Sequence, residues 1–392
     1  MKKYFLIIIL ASSFVCSQNI IAQEPVSVFG FYQVLLQKVE GKLKIYGDVP
    51  TPVGTTVPMT FREDNNDFLN PAIQQLNLFL RKEFTNNLTG FVNLQLVNNF
   101  SINNSWGYFN LEEAWVNYQY SDQLNVRGGI LIPRFNYMNE IKNKTPLLPY
   151  ITRPLVYESI LSGTLDQSHY LPERAFFQVN GNIPVNKFVF DYAAFIGPAE
   201  NDYIATGRGP GIINAGMDTT NIKLFGGRLG LKYSDLRLGA SFTYDKDNRQ
   251  VDLKEDVKRT RLGFDFGYRL NDFYFEGEYI GVNLDSKNTS TDMNKAFYYG
   301  LISYDISDQF YTFATYSSFI DKEISYFSEG MVGYVLGGGF KPSYNVVIKL
   351  EYVNFFVPGD PKVFVPQVPI PGYQADLDLD FKGLQFAVSV IF

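Results

Sequence analysis

The sequence predicts an all-β protein, a transmembrane antiparallel β-barrel of about sixteen strands. Polar and apolar side chains alternate with a period of two along most of the chain, and helical periodicity is nearly absent. Short turns rich in Asn, Asp, Ser and Pro alternate with longer loops, which places the tight turns at one end of the strands and the long loops at the other. The alternating segments are about ten to twelve residues long, the length of a tilted strand that crosses a bilayer.

Each strand is predicted from a segment in which every second residue is apolar. In the second of them, Leu76, Leu78 and Leu80 share one face, while Gln75 and Asn77 lie on the other. A propeller or solenoid is disfavoured because the chain shows no repeat of fixed period. The predicted strands are 26–37, 73–84, 89–99, 111–120, 124–132, 173–183, 188–197, 222–233, 236–245, 257–270, 273–284, 295–306, 310–320, 330–341, 346–356 and 379–392.

Composition excludes several classes of protein. The 392-residue chain has a formal net charge of −6, which argues against nucleic acid as a partner because phosphate binding needs clustered positive charge. One Cys and one His argue against disulfide frameworks, metal sites and cysteine–histidine catalysis, so no cofactor is predicted. Beyond the N-terminal segment there is no apolar run of about eighteen residues, so no membrane-spanning helix is expected.

The first residues are typical of an export signal. A basic start at Lys2 and Lys3 precedes a short apolar core, and cleavage after Ala22 leaves 23–392 as a single barrel domain. Cys16 raises the alternative of a lipid-modified cysteine. The residues just before it lack the small side chain expected there, which disfavours lipidation.

The hairpin 111–132 and the segment that follows it organise the functional prediction. Both strands of the hairpin alternate regularly, but the next forty or so residues, 133–172, have no strand period. Loops of that length in a compact fold are usually functional. A hairpin with one polar and one apolar face, followed by a long polar and proline-bearing segment, suggests a barrel wall and a loop that enters the pore.

The C-terminal segment 384–392 alternates and ends in Phe392, which resembles the signal that brings outer-membrane proteins of Gram-negative bacteria to the barrel assembly machinery. With the export signal and the strand layout, the mature chain resembles an outer-membrane porin. The segments 113–118, 132–135 and 153–155 are similar to the phosphate-selective porin-like family. This resemblance implies short periplasmic turns, long extracellular loops, contact with outer-membrane lipid, passive diffusion of small solutes or ions, and usually a homotrimer. It also implies that the third extracellular loop, here 133–172, narrows the pore.

Charges inside strands are expected to face the lumen, because a charge on the lipid face costs about 2–4 kcal/mol at the membrane midplane. Rings of such charges set ion preference, although they could instead pair with cross-strand neighbours. The two signs roughly balance, unlike the basic ladder that the phosphate-selective family implies, so the sign of selectivity stays open. The residues assigned to the pore wall are Arg81, Glu83, Glu113, Arg127, Asp191, Arg228, Lys232, Arg237, Asp245, Arg261, Asp265, Arg269, Glu276, Glu278, Lys349 and Glu351.

The long loop supplies a second set of candidates, which would meet the wall charges at a constriction. The alternative is a loop that packs over the mouth or against a neighbouring subunit. The candidates for the constriction are Arg134, Glu140, Lys142, Lys144, Arg153 and Glu158.

Two other functions remain as alternatives. His169 follows Asp166 and Ser168, a set of residue types found in hydrolase triads, but triads depend on spatial geometry rather than adjacency. A barrel hydrolase is therefore the weaker alternative. A barrel with a closed lumen that serves a structural or display role is the other, and measured conductance separates it from a porin.

Three further patterns are weaker. Asp376, Asp378 and Asp380 alternate before the last strand and form either a weak calcium site or solvated charge. The glycine-rich stretch 207–211 lacks the strand-then-helix context of a nucleotide-binding loop. Most aromatics near strand ends should form interfacial girdles, while Trp115 and Tyr298 are candidates for an inward-facing track that stacks sugar rings. The girdle candidates are Tyr118, Tyr120, Phe310, Tyr311, Phe355 and Phe356.

Overall fold

The computed structural model describes residues 25–50, 56–64, 69–97, 108–158, 167–198, 223–247, 257–285, 293–324, 327–359, 361–364 and 374–392. The predicted signal segment and the stretch 207–211 lie outside the described residues. The described chain forms one closed barrel of sixteen antiparallel strands, so the predicted fold class is confirmed. The strands are β1 (Ser27–Pro50), β2 (Thr56–Asp64), β3 (Leu69–Thr85), β4 (Leu88–Val97), β5 (Tyr108–Ser121), β6 (Leu124–Leu131), β7 (Ala175–Val185), β8 (Phe188–Pro198), β9 (Lys223–Tyr233), β10 (Leu236–Asp247), β11 (Val257–Leu270), β12 (Phe273–Asp285), β13 (Lys295–Asp305), β14 (Phe310–Asp321), β15 (Met331–Ser343), β16 (Val346–Phe356), β17 (Lys362–Phe364) and β18 (Gln374–Ile391).

The first and last strands close the barrel. β1 pairs with β18 in a register that runs from Phe31 opposite Ile391 to Tyr46 opposite Asp376. The other edge of β1 pairs with β3, and β18 also pairs with β16. β2 and β17 are not wall strands, because β2 pairs with the far half of β1 and β17 with the start of β18.

Two segments that were expected to be loops continue the sheet beyond the wall. The predicted loop 38–70 contains half of β1 and all of β2, and the predicted loop 357–378 contains β17 and the start of β18. Leu43 lies opposite Leu379, so apolar side chains share one face of this extension. Lysines and aspartates alternate on the other face, which gave both segments the composition of polar loops.

Alternation along β11 shows how the sequence defines the two faces of the wall. Leu262 and Phe264 are exposed on the outer surface, whereas Arg261 and Asp265 are buried on the lumen side. Residues two apart share a face. The charged side chains of β11 therefore face the lumen, as the sequence predicted.

Three tight turns at one end of the barrel contain residues with positive φ. Asn186, Ser234 and Asn271 have φ values of 54°, 48° and 51°. They connect β7 to β8, β9 to β10 and β11 to β12. Two-residue hairpin turns need this backbone conformation, which Asn adopts more readily than most residues. The sequence pattern had placed turns at these positions.

The connection between β6 and β7 folds into short helices. It contains α1 (Asn136–Ile141), 3-10 helices at Lys142–Leu147 and Leu155–Tyr157, and α2 (Gln167–Tyr170). We call 133–158 together with 167–172 the inner loop, because it packs against side chains that face the barrel interior. Among the described residues, no helix is both long and apolar enough to cross a membrane.

Candidate functional site

The inner loop packs its apolar side chains onto the lumen face of the wall. The ring of Tyr157 meets Phe297 edge-on with centroids 5.8 Å apart, and Tyr170 meets Phe319 in the same way at 6.2 Å. Phe135 is fully buried in the same apolar cluster. A side chain of this size contributes about 1.5–3 kcal/mol when it is buried. The loop is therefore held inside the barrel by a small hydrophobic core.

Wall side chains also bind the backbone of the first half of the inner loop. The Asn136 N–H donates to Ser241 Oγ at 2.9 Å, and the Met138 N–H donates to Glu278 Oε1 at 2.6 Å. The Tyr157 hydroxyl donates to Glu278 Oε2 at 2.7 Å. Burial, reinforced by this carboxylate, raises the pKa of Tyr157 well above its ordinary value. Both oxygens of Glu278 thus hold the loop.

The middle of the inner loop, 145–152, is bound by two side chains of β16. Lys349 Nζ donates to the carbonyls of Thr145, Pro146 and Tyr150 at 3.0, 3.2 and 3.2 Å. Glu351 accepts the backbone N–H groups of the next two residues of the loop at 2.7 and 2.8 Å. Both side chains were assigned to the pore wall, and the structure places them beneath the loop.

An ion-pair network occupies the lumen face of β8 to β12. Arg228 Nη1 donates to Asp191 at 2.8 Å, and its Nη2 donates to both oxygens of Asp265 at 2.6 and 2.8 Å. Arg237 Nη2 donates to Glu276 at 3.1 Å. The sequence predicted that these charges share the lumen side, and the structure shows that they neutralise one another across strands.

A second network joins the wall to the end of the inner loop. Arg259 donates to Asp245, and Arg261 Nη1 lies 3.6 Å from the same carboxylate. Arg261 Nε donates to the backbone carbonyl of His169 at 3.0 Å. Arg259 was absent from the predicted wall residues, although it lies two residues before Arg261 and so has the same orientation.

Six charged residues lie where the inner loop faces β5 and β6, among them Glu112, whose carboxylate accepts a hydrogen bond from Asn143 Nδ2 of the loop at 3.1 Å. Arg134 Nε is 2.9 Å from Glu140 Oε1, and both side chains are partly exposed. The charges of these two residues act on the guanidinium of Arg127, and the charge of Lys144 acts on Glu113. We call Glu112, Glu113, Arg127, Arg134, Glu140 and Lys144 the charged opening. Three cations and three anions make it a site of mixed sign.

The remaining loop candidates serve the loop itself. The Arg153 N–H donates to Glu158 Oε2 at 2.8 Å, and Arg153 Nη1 donates to the backbone carbonyl of Lys142 at 3.2 Å. Arg153 Nε also lies 3.7 Å from the Glu158 carboxylate. These contacts join the turns of the inner loop to one another.

The remaining wall candidates lie towards the tight-turn end. Arg81 pairs with Glu83 at 2.6 Å and Arg269 pairs with Asp305 at 2.9 Å, both at exposed positions. Lys232 is also exposed, next to the turn between β9 and β10. The assignment of any predicted wall residue to a solute path stays a prediction.

A row of aromatic rings follows the lumen face from β3 to β5. Phe79 stacks on Phe91 with centroids 5.7 Å apart, and Phe91 stacks on Trp115 at 4.8 Å. Arg127 lies 4.7 Å from the Trp115 centroid. Trp115 faces inward as expected, but its neighbours cover the ring faces that a sugar would need. The expectation for Tyr298 is wrong, because it is exposed on the outer surface.

Two of the six girdle candidates are also placed differently. Tyr311 and Phe355 are buried on the lumen side, where the Tyr311 hydroxyl donates to the backbone carbonyl of Pro149 at 2.9 Å. Tyr118, Tyr120 and Phe310 are exposed, as expected of a girdle. The error arose because strand ends were assigned as a whole, without following the period of two to the last residue.

His169 lies beside charged side chains of the wall and of the segment after β14. Possible ligand atoms of His169, Asp321 and Glu323 lie within 4.8 Å of one another. Lys295 Nζ already binds both carboxylates, at 2.5 and 2.9 Å. We interpret the group as an ion network. Asp166 and the side chain of Ser168 lie outside the described residues.

The three alternating aspartates occupy the outer face of the sheet extension. Asp378 and Asp380 lie opposite Lys44 and Lys42 in the register of β18 and β1. Asp376 pairs with Lys362. Each carboxylate therefore has a lysine as a cross-strand neighbour, which favours the interpretation as surface charge over a calcium site.

The closed barrel with a long loop packed inside it has the porin-like fold of outer-membrane proteins. An anion-selective porin from Comamonas acidovorans is similar at a TM-score of 0.57 and 13% identity, covering 94% of this chain and 99% of that one. The outer-membrane channel DcaP of Acinetobacter baumannii has a TM-score of 0.54 and 12% identity, with 94% and 97% covered.

An outer-membrane protein of Vibrio cholerae, OmpT in a trimer form, gives a TM-score of 0.52 at 12% identity, covering 94% of this chain and 100% of that one. The sequence itself matches no protein-family model and none of the curated proteins. At these identities the likeness establishes the fold. The narrower resemblance to phosphate-selective porins stays a prediction.

Proposed function

We propose that the protein is an outer-membrane porin, a passive channel for small hydrophilic solutes or ions whose constriction is formed by the inner loop. The observation that carries this proposal is the position of the loop. It lies inside a closed barrel, fixed to β10, β12 and β16, and it presents charged side chains to β5 and β6.

The charged opening supplies the selectivity in this proposal. Arg127, Arg134 and Lys144 bring positive charge to one place, and Glu112, Glu113 and Glu140 bring negative charge. Opposite charges around a narrow aqueous passage create a field that orients dipolar solutes, and their balance sets ion preference. With three cations and three anions, we expect little preference between anions and cations in the parent protein.

The arginines of the wall contribute less to this preference. Arg228 and Arg261 are buried and each lies beside a carboxylate. Their fields are largely cancelled at short range. Selectivity is therefore expected to respond to the charged opening more than to the wall.

The same proposal includes the cellular setting. Residues 1–22 direct export, 23–392 form the single barrel domain, and the strand that ends at Phe392 is delivered to the barrel assembly machinery. The outer-facing apolar side chains contact lipid of the outer membrane. A homotrimer is the expected assembly, and a trimer form is named for the Vibrio cholerae protein of similar fold.

A salt-gradient measurement in planar bilayers tests the proposal. The purified protein should give stable conducting steps, and the double substitution Arg127→Glu and Arg134→Glu should move the zero-current potential towards that of a cation-selective pore. Lys382→Glu is a control outside the lumen, since Lys382 lies on the outer face of β18 beside Asp380, and shifts are compared per unit of charge changed. Equal shifts for both variants would contradict the role of the charged opening.

The dense packing of the inner loop favours one alternative, a barrel with a closed lumen and a structural or display role. Phe135, Ile151, Leu155 and Leu171 of the loop have no exposed surface. If the loop fills the lumen completely, reconstituted protein will show no conducting steps at any voltage. Conductance therefore decides between the two functions.

A further inference from the structure

Lys349 and Glu351 form a pair with opposite charges on the lumen face of β16. They are two residues apart, so both side chains point inward, and each is 1% exposed. Five of their hydrogen bonds to the inner loop involve main-chain groups, and Glu351 also accepts one from the Thr152 side chain. The pair therefore binds chiefly the backbone of the loop.

The polarity of the pair matches the polarity of the loop backbone. Lys349, a pure donor, meets the carbonyls of Thr145, Pro146 and Tyr150, while Glu351, a pure acceptor, meets two N–H groups. Hydrogen bonds with one ionised partner are stronger than neutral ones. Exchange of the two residues would put a carboxylate against carbonyls and an ammonium against N–H groups.

Neighbouring strands hold the lysine in place. Gln33 Oε1 on β1 accepts a hydrogen bond from Lys349 Nζ at 3.1 Å and another from Ser389 Oγ on β18 at 2.6 Å. The anchor therefore spans three adjacent wall strands, where β1 and β18 close the barrel. A loop segment attached to these three strands is held at a fixed distance from the opposite side of the barrel wall.

The bound segment lies directly beside the charged opening. It begins one residue after Lys144, which is exposed and acts on Glu113. It ends one residue before Arg153, which ties the turns of the loop together. A shift of this segment moves Lys144 relative to the wall.

We propose that Lys349 and Glu351 are positioning residues that set the width of the constriction by holding 145–152 against β16. The effect on constriction width rests on the proposed porin function, but attachment of the loop to β16 can be tested without measuring conductance. An ion pair whose members bind only each other tolerates exchange of its two residues. A pair whose members form hydrogen bonds with specific carbonyl and N–H groups of the loop does not.

The decisive variant is the exchange Lys349→Glu with Glu351→Lys, which keeps net charge and composition. The control is the exchange Arg81→Glu with Glu83→Arg, an exposed pair at the same spacing on β3. The mature region contains no cysteine, so Ile151→Cys provides a single thiol at a fully buried loop position. Its reaction with a membrane-impermeant maleimide is measured in folded protein, with heat-modifiable gel migration as the check of barrel integrity.

We expect the thiol to be protected in the parent and in the control exchange and to react in the β16 exchange. In bilayers, the β16 exchange should lose the single open level, flicker between levels and admit larger neutral polymers. Protection and unchanged conductance in the β16 exchange would overturn the proposal. A parent that never conducts, with the same labelling pattern, would overturn the porin function and leave the positioning role standing.

A second variant covers the case in which the exchanged protein does not form a barrel. Glu351→Gln keeps the size of the side chain and removes its charge, so one loop N–H group loses its acceptor. We expect intermediate labelling at position 151 with an intact barrel. Labelling equal to that of the parent would count against the proposal.

Discussion

Removal of Arg228 should cost far more stability than removal of an exposed arginine. Arg228 is 5% exposed and donates three hydrogen bonds, one to Asp191 and two to Asp265. Arg228→Ala leaves the carboxylates of Asp191 and Asp265 buried without the positive charge and the hydrogen bonds of the guanidinium. Breaking a buried pair by removal of one partner typically costs about 3–5 kcal/mol.

The comparison variant is Arg269→Ala, which breaks the exposed pair with Asp305 at the tight-turn end. Exposed pairs of this kind contribute about 0–1 kcal/mol. Urea unfolding of both variants in lipid vesicles, followed by tryptophan fluorescence, measures the difference. If Arg228→Ala lowers the free energy of unfolding no more than Arg269→Ala does, the network on β8 to β12 is not a structural element.

Three further predictions concern packing, the loop and its pH dependence. Gly239→Ala should destabilise the barrel because a Cβ there would collide with the Arg228 guanidinium, whereas Gly128→Ala, where a Cβ meets open space, should be neutral by the same urea titration. Tyr157→Phe removes the hydrogen-bond donor to Glu278 and should lower the stability of the loop attachment by about 1–3 kcal/mol. The loss should appear as faster maleimide labelling of a cysteine at position 151. Labelling at the parent rate would count against this hydrogen bond as an anchor of the loop. Because the pKa of Tyr157 is raised in the folded protein, its contribution to stability is fully present below the unfolded-state pKa of about 10 and is lost as pH rises through the folded-state value. Maleimide labelling at position 151 should therefore accelerate only in strong alkali. Acceleration near neutral pH would contradict this.

The fold could be predicted from sequence because a barrel repeats one local rule. On β11, the alternation of Arg261, Leu262, Gly263 and Phe264 alone assigns each side chain to the lumen or the outer surface. The tight turns at Ser234 and Asn271 then set the register of neighbouring strands. The sheet extension was missed because the period of two in 38–50 is carried by charged residues.

For the candidate site, the sequence predicted which strand side chains face the lumen and no more than that. Sequence analysis placed Lys349, Glu351 and Glu278 on the lumen side, but it could not show that the inner loop covers them. That contact joins positions about 200 residues apart, such as Ile151 and Glu351, and depends on how the loop folds. Ser241 was not singled out, since a lone serine in a strand carries no signal of its role.

The direct test of the central claim is single-channel recording of the purified protein in a planar bilayer under a salt gradient. We predict discrete ohmic steps with little preference between anions and cations, and a shift to cation selectivity when Arg127 and Arg134 are both replaced by glutamate but not when Lys382 is replaced. A bilayer that stays silent with correctly folded, heat-modifiable barrel present would contradict the claim and establish a closed barrel instead.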